Sequence, residues 1–386
     1  MSTPQLLLLD LDDVLLFSNG YRAALRGAVG YFGRKLGYPD VPLSDEDIDA
    51  FEAFGLTAEW DSATVCISLM LAQLWEQLPD HAATLAVDLP TPPAHNLPVP
   101  AFRDFVGGLH PLDQGRFGPL TAAERALLQQ YPSLSVEQAG FLQDLFSGTR
   151  RFDRSPIHRL IQEFNLGSQR YAQIYGSPPT LSVESTLLTH DRPRLDDAAR
   201  RLLENWAEEA DHGAVIFTNR PSTPPDGAFD TPEAELGLEA SGLSAFAIVG
   251  GGGLGWISQQ RGLTSGELLK PSPVHALTAL RLALGDPPRD ALEASADLAL
   301  EGRSDSHWRD LDGTHLHVFE DSAKGLRSAA GAVDILRTHG VTMQCALYGV
   351  SQSRPKRAAL AAAGGLLYDD IQGALATVEG LEGISL

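Results

Sequence analysis

Two cysteines, Cys66 and Cys345, are all the thiols the chain has. They form no metal-ligand spacing and no disulfide framework, so a reducing cytoplasm is the expected setting. Lysine is nearly as scarce: four residues, at positions 35, 270, 324 and 356, with arginine supplying the other strong cations. Basic residues number 29 against 50 acidic ones, a formal net charge of −21. No basic field is present to draw in phosphate backbones, which excludes non-specific binding to nucleic acid or to an anionic membrane. Long apolar runs are missing as well. The Leu6–Leu9 stretch has no basic lead-in and is cut short by aspartates, so it reads neither as a signal peptide nor as a membrane span. A soluble protein handling a small anion through a local cation is expected.

What is present is ample core material: 386 residues, 43% of them hydrophobic, enough for two domains or for one domain with a large insertion. The organising stretch is Leu6 to Val14, LLLLDLDDV. Four consecutive leucines suit an inner strand of a parallel sheet, buried on both faces. Asp10, Asp12 and Asp13 follow at once. Three carboxylates crowded at one strand end repel each other, a cost that a shared cation, substrate or proton offsets.

The next 190 or so residues read as almost wholly helical. Apolar positions recur at helical spacing over Tyr21 to Leu36 and Glu59 to Leu78, and Leu195 to Glu209 is amphipathic. Helix-start signatures stand at Ser44 with Asp47, Thr121 with Glu124, Ser135 with Gln138, and Ser155 before Pro156. Five prolines between Leu89 and Pro100 predict an extended connection. From about residue 210 the pattern changes. Short β-type runs at Ala214–Phe217, Ala245–Val249, His315–Phe319, Met343–Val350 and Leu366–Tyr368 alternate with helical ones, at Lys270 to Leu284, Ala323 to Arg337 and Pro355 to Ala363. Such alternation implies crossovers and a parallel sheet. The expected fold is therefore an α/β parallel-sheet core from residues 1–16 and 210–386, with a helical insertion at 17–209.

In open parallel sheets, ligands sit beyond the carboxyl ends of the strands. Asp10, Thr218 and the pair Glu320-Asp321 each follow a strand-like run directly, and Lys270 stands at a helix entrance. Together they make a phosphoryl-transfer set. Asp10 can attack phosphorus to give an aspartyl-phosphate, and Asp12 can serve as the acid and then the base. Lys270 and the Thr218 hydroxyl can hold phosphoryl oxygens. Asp321, with Glu320 beside it, completes an oxygen-rich site suited to Mg²⁺. Taken singly, Thr218 is an ordinary strand-end residue and Lys270 an ordinary surface lysine. Lys324, in the first turn of a helix, is the competing lysine, and its place favours exposure.

These residues resemble the four motifs of the haloacid dehalogenase superfamily: Asp10-Leu11-Asp12-Asp13-Val14, Val215-Ile216-Phe217-Thr218, Lys270-Pro271-Ser272-Pro273, and Phe319-Glu320-Asp321-Ser322 with Gly325. The resemblance implies a Rossmann-like core with a mobile cap of the C1 type, as in phosphoglycolate phosphatase and β-phosphoglucomutase relatives, here enlarged. It also implies Mg²⁺ held by Asp10, the Asp12 carbonyl and Asp321, with Asp13 in place of the commoner motif I glycine. The expected activity is that of a phosphatase acting on a small phosphorylated metabolite. Phosphomutase or phosphotransferase activity on the same core is the alternative. A catalytically silent protein that uses its insertion as a binding surface stands outside the enzyme class.

Other features read as structural. Asn219 can meet phosphate through its backbone N–H and Arg220 can face a substrate, yet each suits a structural role equally. Gly250 to Gly255 satisfies G-x-G-x-x-G, but with no long helix expected after it a glycine-rich turn is the better reading. His315 and His317 share a strand face without a third ligand.

Overall fold

The computed structural model describes residues 3–81, 85, 94, 97–109 and 111–384. They divide into two compact units, Met1–Ser18 with Asp191–Leu386, and Asn19–His190.

Among the described residues, the first unit carries all the strands: β1 (Gln5–Leu9), β2 (Leu16–Phe17), β3 (Arg192–Pro193), β4 (His212–Phe217), β5 (Ala247–Val249), β6 (His315–Glu320), β7 (Gln344–Val350) and β8 (Leu366–Tyr368). Six of them form a parallel sheet in the order β5-β4-β1-β6-β7-β8. β2 and β3 make a separate antiparallel ribbon. The leucines of β1 explain its central place. Leu6 and Leu8 pack into one layer with Val215, Phe217 and Leu277. Leu7 and Leu9 point to the other, with Ile216, Phe319 and Trp206. A strand buried on both faces must be apolar at every position, which the period-2 geometry of a strand requires. From β1 the chain winds first to β4 and β5, then crosses back to β6. Winding reverses beside β1, where an open α/β sheet opens its crevice. Leu9 stands level with Ile216 and with Phe319, so the carboxyl ends of the three central strands come together.

Several boundaries differ from the expectation. The helix Asp197–Ala207 belongs to the sheet unit, not to the insertion, because Leu195, Ala199, Leu203 and Trp206 pack in the layer of Leu7 and Leu9. The glycine-rich run after β5 is no turn: Gly251–Gln260 is a helix. Packing explains its glycines, since a Cβ on Gly250 would stand 2.7 Å from the Ser222 side chain and one on Gly252 would overlap the Ser222 carbonyl. His317 shares a contact with the Tyr348 hydroxyl at 3.1 Å, a structural arrangement.

The second unit is helical. Gly20–Lys35, Glu59–Gln77 and Pro156–Leu166 pack around Phe32, Phe51, Ile67 and Leu160. Capping boxes close at Ser44 with Asp47 and at Ser135 with Gln138. Thr121 is not a cap: its helix begins two residues earlier, at Pro119, where proline's fixed φ suits a first turn. The apolar stripe Val65 to Trp75 is core. Most of the Leu89–Pro100 connection lies outside the described residues. Among the described residues no helix is long and apolar enough to cross a membrane.

Two tests follow from this packing. Leu8→Ala should cost roughly 3 kcal/mol, the ordinary price of a core cavity, whereas Leu366→Ala, at a position 56% exposed, should cost under about 0.5 kcal/mol. Urea unfolding midpoints measure both. Burial also lowers the pKa of His158, stacked 4.6 Å from Trp60, and of His317, each to about 4. Both imidazoles are neutral when folded and take up a proton near pH 6.5 when unfolded, so stability should fall as pH drops from about 6.5 toward 4. In urea melts across that range, His158→Gln and His317→Gln should each flatten the acid-side slope.

Candidate functional site

Asp10 leaves β1 with its backbone N–H donating to the Phe319 carbonyl at 3.0 Å, which fixes the carboxylate at the sheet's carboxyl edge. The Lys270 ammonium reaches it across 260 residues of sequence, Nζ to Oδ1 at 2.8 Å, and also pairs with Glu320. Both Lys270 and Glu320 are buried. A point charge with three donors suits this place, between two carboxylates and 3.8 Å from the centroid of the Phe217 ring. The lysine is set from below: its backbone N–H donates to Asn219 Oδ1 at 3.2 Å, and the Lys270–Pro271 peptide is cis. Glu320 takes further bonds from the Ser322 hydroxyl at 2.9 Å and the Ser322 N–H.

Gly325 makes room for that carboxylate, since a Cβ there would overlap Glu320. Gly325 thus serves a close approach and not a turn.

Asp10, Glu320 and Asp321 each offer a carboxylate oxygen within 4.8 Å of the others, a cluster able to hold a metal ion. Burial, then the charge of Glu320, raises the Asp10 carboxyl well above its usual range against the pull of Lys270. Burial raises Asp321 to about 6 although Lys356 opposes it. In both, burial is the larger cause and a neighbouring carboxylate adds to it. The named ion pairs join six carboxylates (Asp10, Asp12, Asp13, Asp191, Glu320, Asp321) to four cations (Lys270, Lys356, Arg194, Arg220). Oxygen-only donors fit a hard cation such as Mg²⁺.

Asp12 stands apart from that trio. Arg220 Nε lies 3.0 Å from each of its oxygens, Arg220 Nη2 lies 2.5 Å from Oδ1, and the Ser18 hydroxyl donates to Oδ1 at 2.6 Å. Burial would raise this carboxyl, but Arg220, Ser18 and Lys270 together hold it below the usual range. Its side chain is therefore not part of the Asp10, Glu320 and Asp321 cluster, so the expectation that Asp12 joins them as a side-chain metal ligand is not met. Thr218 is buried at the end of β4, and its hydroxyl accepts the Arg220 N–H at 3.2 Å. Asn219 supports Lys270 through its side chain. Asp13 adopts φ +57°, the left-handed region that aspartate tolerates better than most residues, in place of a glycine.

Sequence reasoning missed three members. Lys324 is exposed, as expected, but the second site lysine is Lys356, at the start of the helix Arg354–Ala362 after β7. It lies 3.0 Å from Asp13 and pairs with Asp321. Its scarcity and its place after a strand were the available signals. Asp191 and Ser18 had none, since neither follows a strand of the main sheet.

No protein-family model matches the chain, and no curated protein matches it. Among solved structures, the X-ray structure of Northeast Structural Genomics Consortium target ZR25 is similar over 98% of this chain and 100% of its own, with a TM-score of 0.67 and 15% identity. Phosphatase Tt82 from Thermococcus thioreducens is similar over 94% of this chain and 100% of its own, with a TM-score of 0.41 and 15% identity. The first likeness shows a shared fold.

Gly325→Ala tests the packing around the site. The added methyl should push Glu320 off Lys270 and lower stability by about 1–3 kcal/mol, the range for overpacking, read from urea midpoints. A wild-type midpoint would show that Glu320 yields without cost.

Proposed function

We propose that the chain is a metal-dependent phosphatase that hydrolyses a small phosphomonoester through an aspartyl-phosphate on Asp10. The observation that carries this reading is the Lys270 ammonium, buried at 2.8 Å from Asp10 in a carboxylate cluster that can take a divalent ion.

Asp10 supplies the nucleophile, its carboxylate oxygen forming the new bond to phosphorus as the ester oxygen departs. Lys270 and the Thr218 hydroxyl bind phosphoryl oxygens, and Lys270 offsets the charge that Asp10 brings to an anionic group. A phosphomonoester has its second ionisation near pH 6, so its monoanion carries the proton that passes by way of Asp12 to the leaving oxygen. In the second half, Asp12 takes a proton from water, the water oxygen bonds to phosphorus, the acyl–phosphate bond breaks to return Asp10, and the proton on Asp12 leaves with the free phosphate. Arg220 favours the ionised form of Asp12, which suits this base role. Asp10, Glu320 and Asp321 would hold Mg²⁺. Bound there, it supplies Lewis-acid stabilisation of charge on the phosphoryl oxygens.

Hydrolysis of p-nitrophenyl phosphate tests the reading. Wild type should turn over with Mg²⁺ and lose activity with EDTA, and Asp10→Asn should lower kcat by about three orders of magnitude or more with the fold intact by circular dichroism. Activity retained in Asp10→Asn would end the proposal. So would a wild type silent across a broad panel of phosphate esters.

A further inference from the structure

The least accessible cation near the site is not the phosphate-binding lysine but Arg220. Its side chain is 2% exposed, and the Asp191 carboxylate it meets, Nη2 to Oδ2 at 2.9 Å, is 0% exposed. The fold makes space for the guanidinium: a Cβ on Gly237 would stand 2.8 Å from Nη1 and 2.5 Å from the Leu11 side chain. A buried ion pair is poor value as a stabiliser, because desolvating the charges costs several kcal/mol and an apolar side chain fills space as well. What the pair does fix is Asp12. The fork of Arg220 engages both Asp12 oxygens, while the Asp12 side chain itself remains 35% exposed. Ser18 adds a third anchor at 2.6 Å. Two of these partners stand where the chain leaves and re-enters the sheet unit: Ser18 is the last residue before the helical unit, and Asp191 the first after it.

We propose that Arg220 and Asp191 are positioning residues of the reaction. Arg220 holds the Asp12 carboxylate in the orientation that proton transfer requires, and Asp191 holds Arg220. This rests on the phosphatase reading above. Lysine cannot substitute: a compact ammonium lacks the planar fork that bonds two oxygens of one carboxylate and reaches a second carboxylate as well.

The test compares full-length wild type, Asp10→Asn, Arg220→Lys, Asp191→Asn and the double variant Arg220→Lys/Asp191→Asn, all with Mg²⁺. Two substrates are used: p-nitrophenyl phosphate, whose leaving group needs little protonation, and glycerol 2-phosphate, whose alkoxide needs a proton. Arg220→Lys should lower kcat about tenfold or more with KM within about twofold, and the loss should be several-fold larger on the alkyl ester. Asp191→Asn should shift kcat in the same direction by less. The double variant should lose no more than Arg220→Lys alone, since the two act in series. Asp191→Asn is nearly isosteric and decides the matter if Arg220→Lys does not fold. Wild-type kcat in the single variants, losses confined to KM, or equal losses on both esters would overturn the inference while leaving the phosphatase reading intact. An inactive wild type or an active Asp10→Asn would overturn both.

Discussion

A buried ammonium between two buried carboxylates is the constraint on which the polar end of the sheet depends. Lys270 pairs with Asp10 and Glu320 at once. An uncompensated charge in such a place costs roughly 3–5 kcal/mol, so each of the three can be buried only with the others there. The surroundings follow from keeping them together. Asn219 holds the lysine backbone, the Phe217 ring lies against the ammonium, Ser322 bonds Glu320, and Gly325 stays bare so that the Glu320 carboxylate can lie against its helix. Burial disfavours the charged form of Lys270, but its two carboxylate partners outweigh that and raise its pKa.

Around that centre, charge is distributed unevenly, and the unevenness is useful. Asp10 and Asp321 are pushed up, while Asp12 is pulled down by Arg220. Carboxylates two residues apart are thus given opposite tendencies, Asp10 chiefly by burial and Asp12 by Arg220. The cations that offset the cluster come from four separate stretches of the chain, carrying Arg194, Arg220, Lys270 and Lys356. No single local segment could neutralise it.

Much of the core could be read from pattern alone. The LLLL run, the β-type runs ending in Thr218 and Glu320, and the run at Leu366–Tyr368 correspond to β1, β4, β6 and β8 within a residue or two. Capping boxes at Ser44 and Ser135 were legible because both partners lie within one helical turn. Misreadings came where packing overrode local preference. Thr121 matches a capping pattern yet lies inside a helix that Pro119 starts, and the glycine run after β5 is a helix in which Ser222 leaves no room for a Cβ at Gly252. The division near residue 190 was invisible for the same reason: helices stand on either side of it, and only the core each one covers tells them apart.

The amino-acid sequence by itself determined which residues end at the carboxyl edge of the sheet, because burial on two faces and a period of two are written locally in β1, β4 and β6. It determined too that an acidic cluster would need a cation. Only the tertiary structure decided which cation meets which acid: Lys270 with Asp10 and Glu320, Lys356 with Asp13 and Asp321, Arg220 with Asp12 and Asp191. Arg220 and Asp12 are 208 residues apart. Charge acts through space and not along the chain, so a pairing of that kind has no trace in spacing.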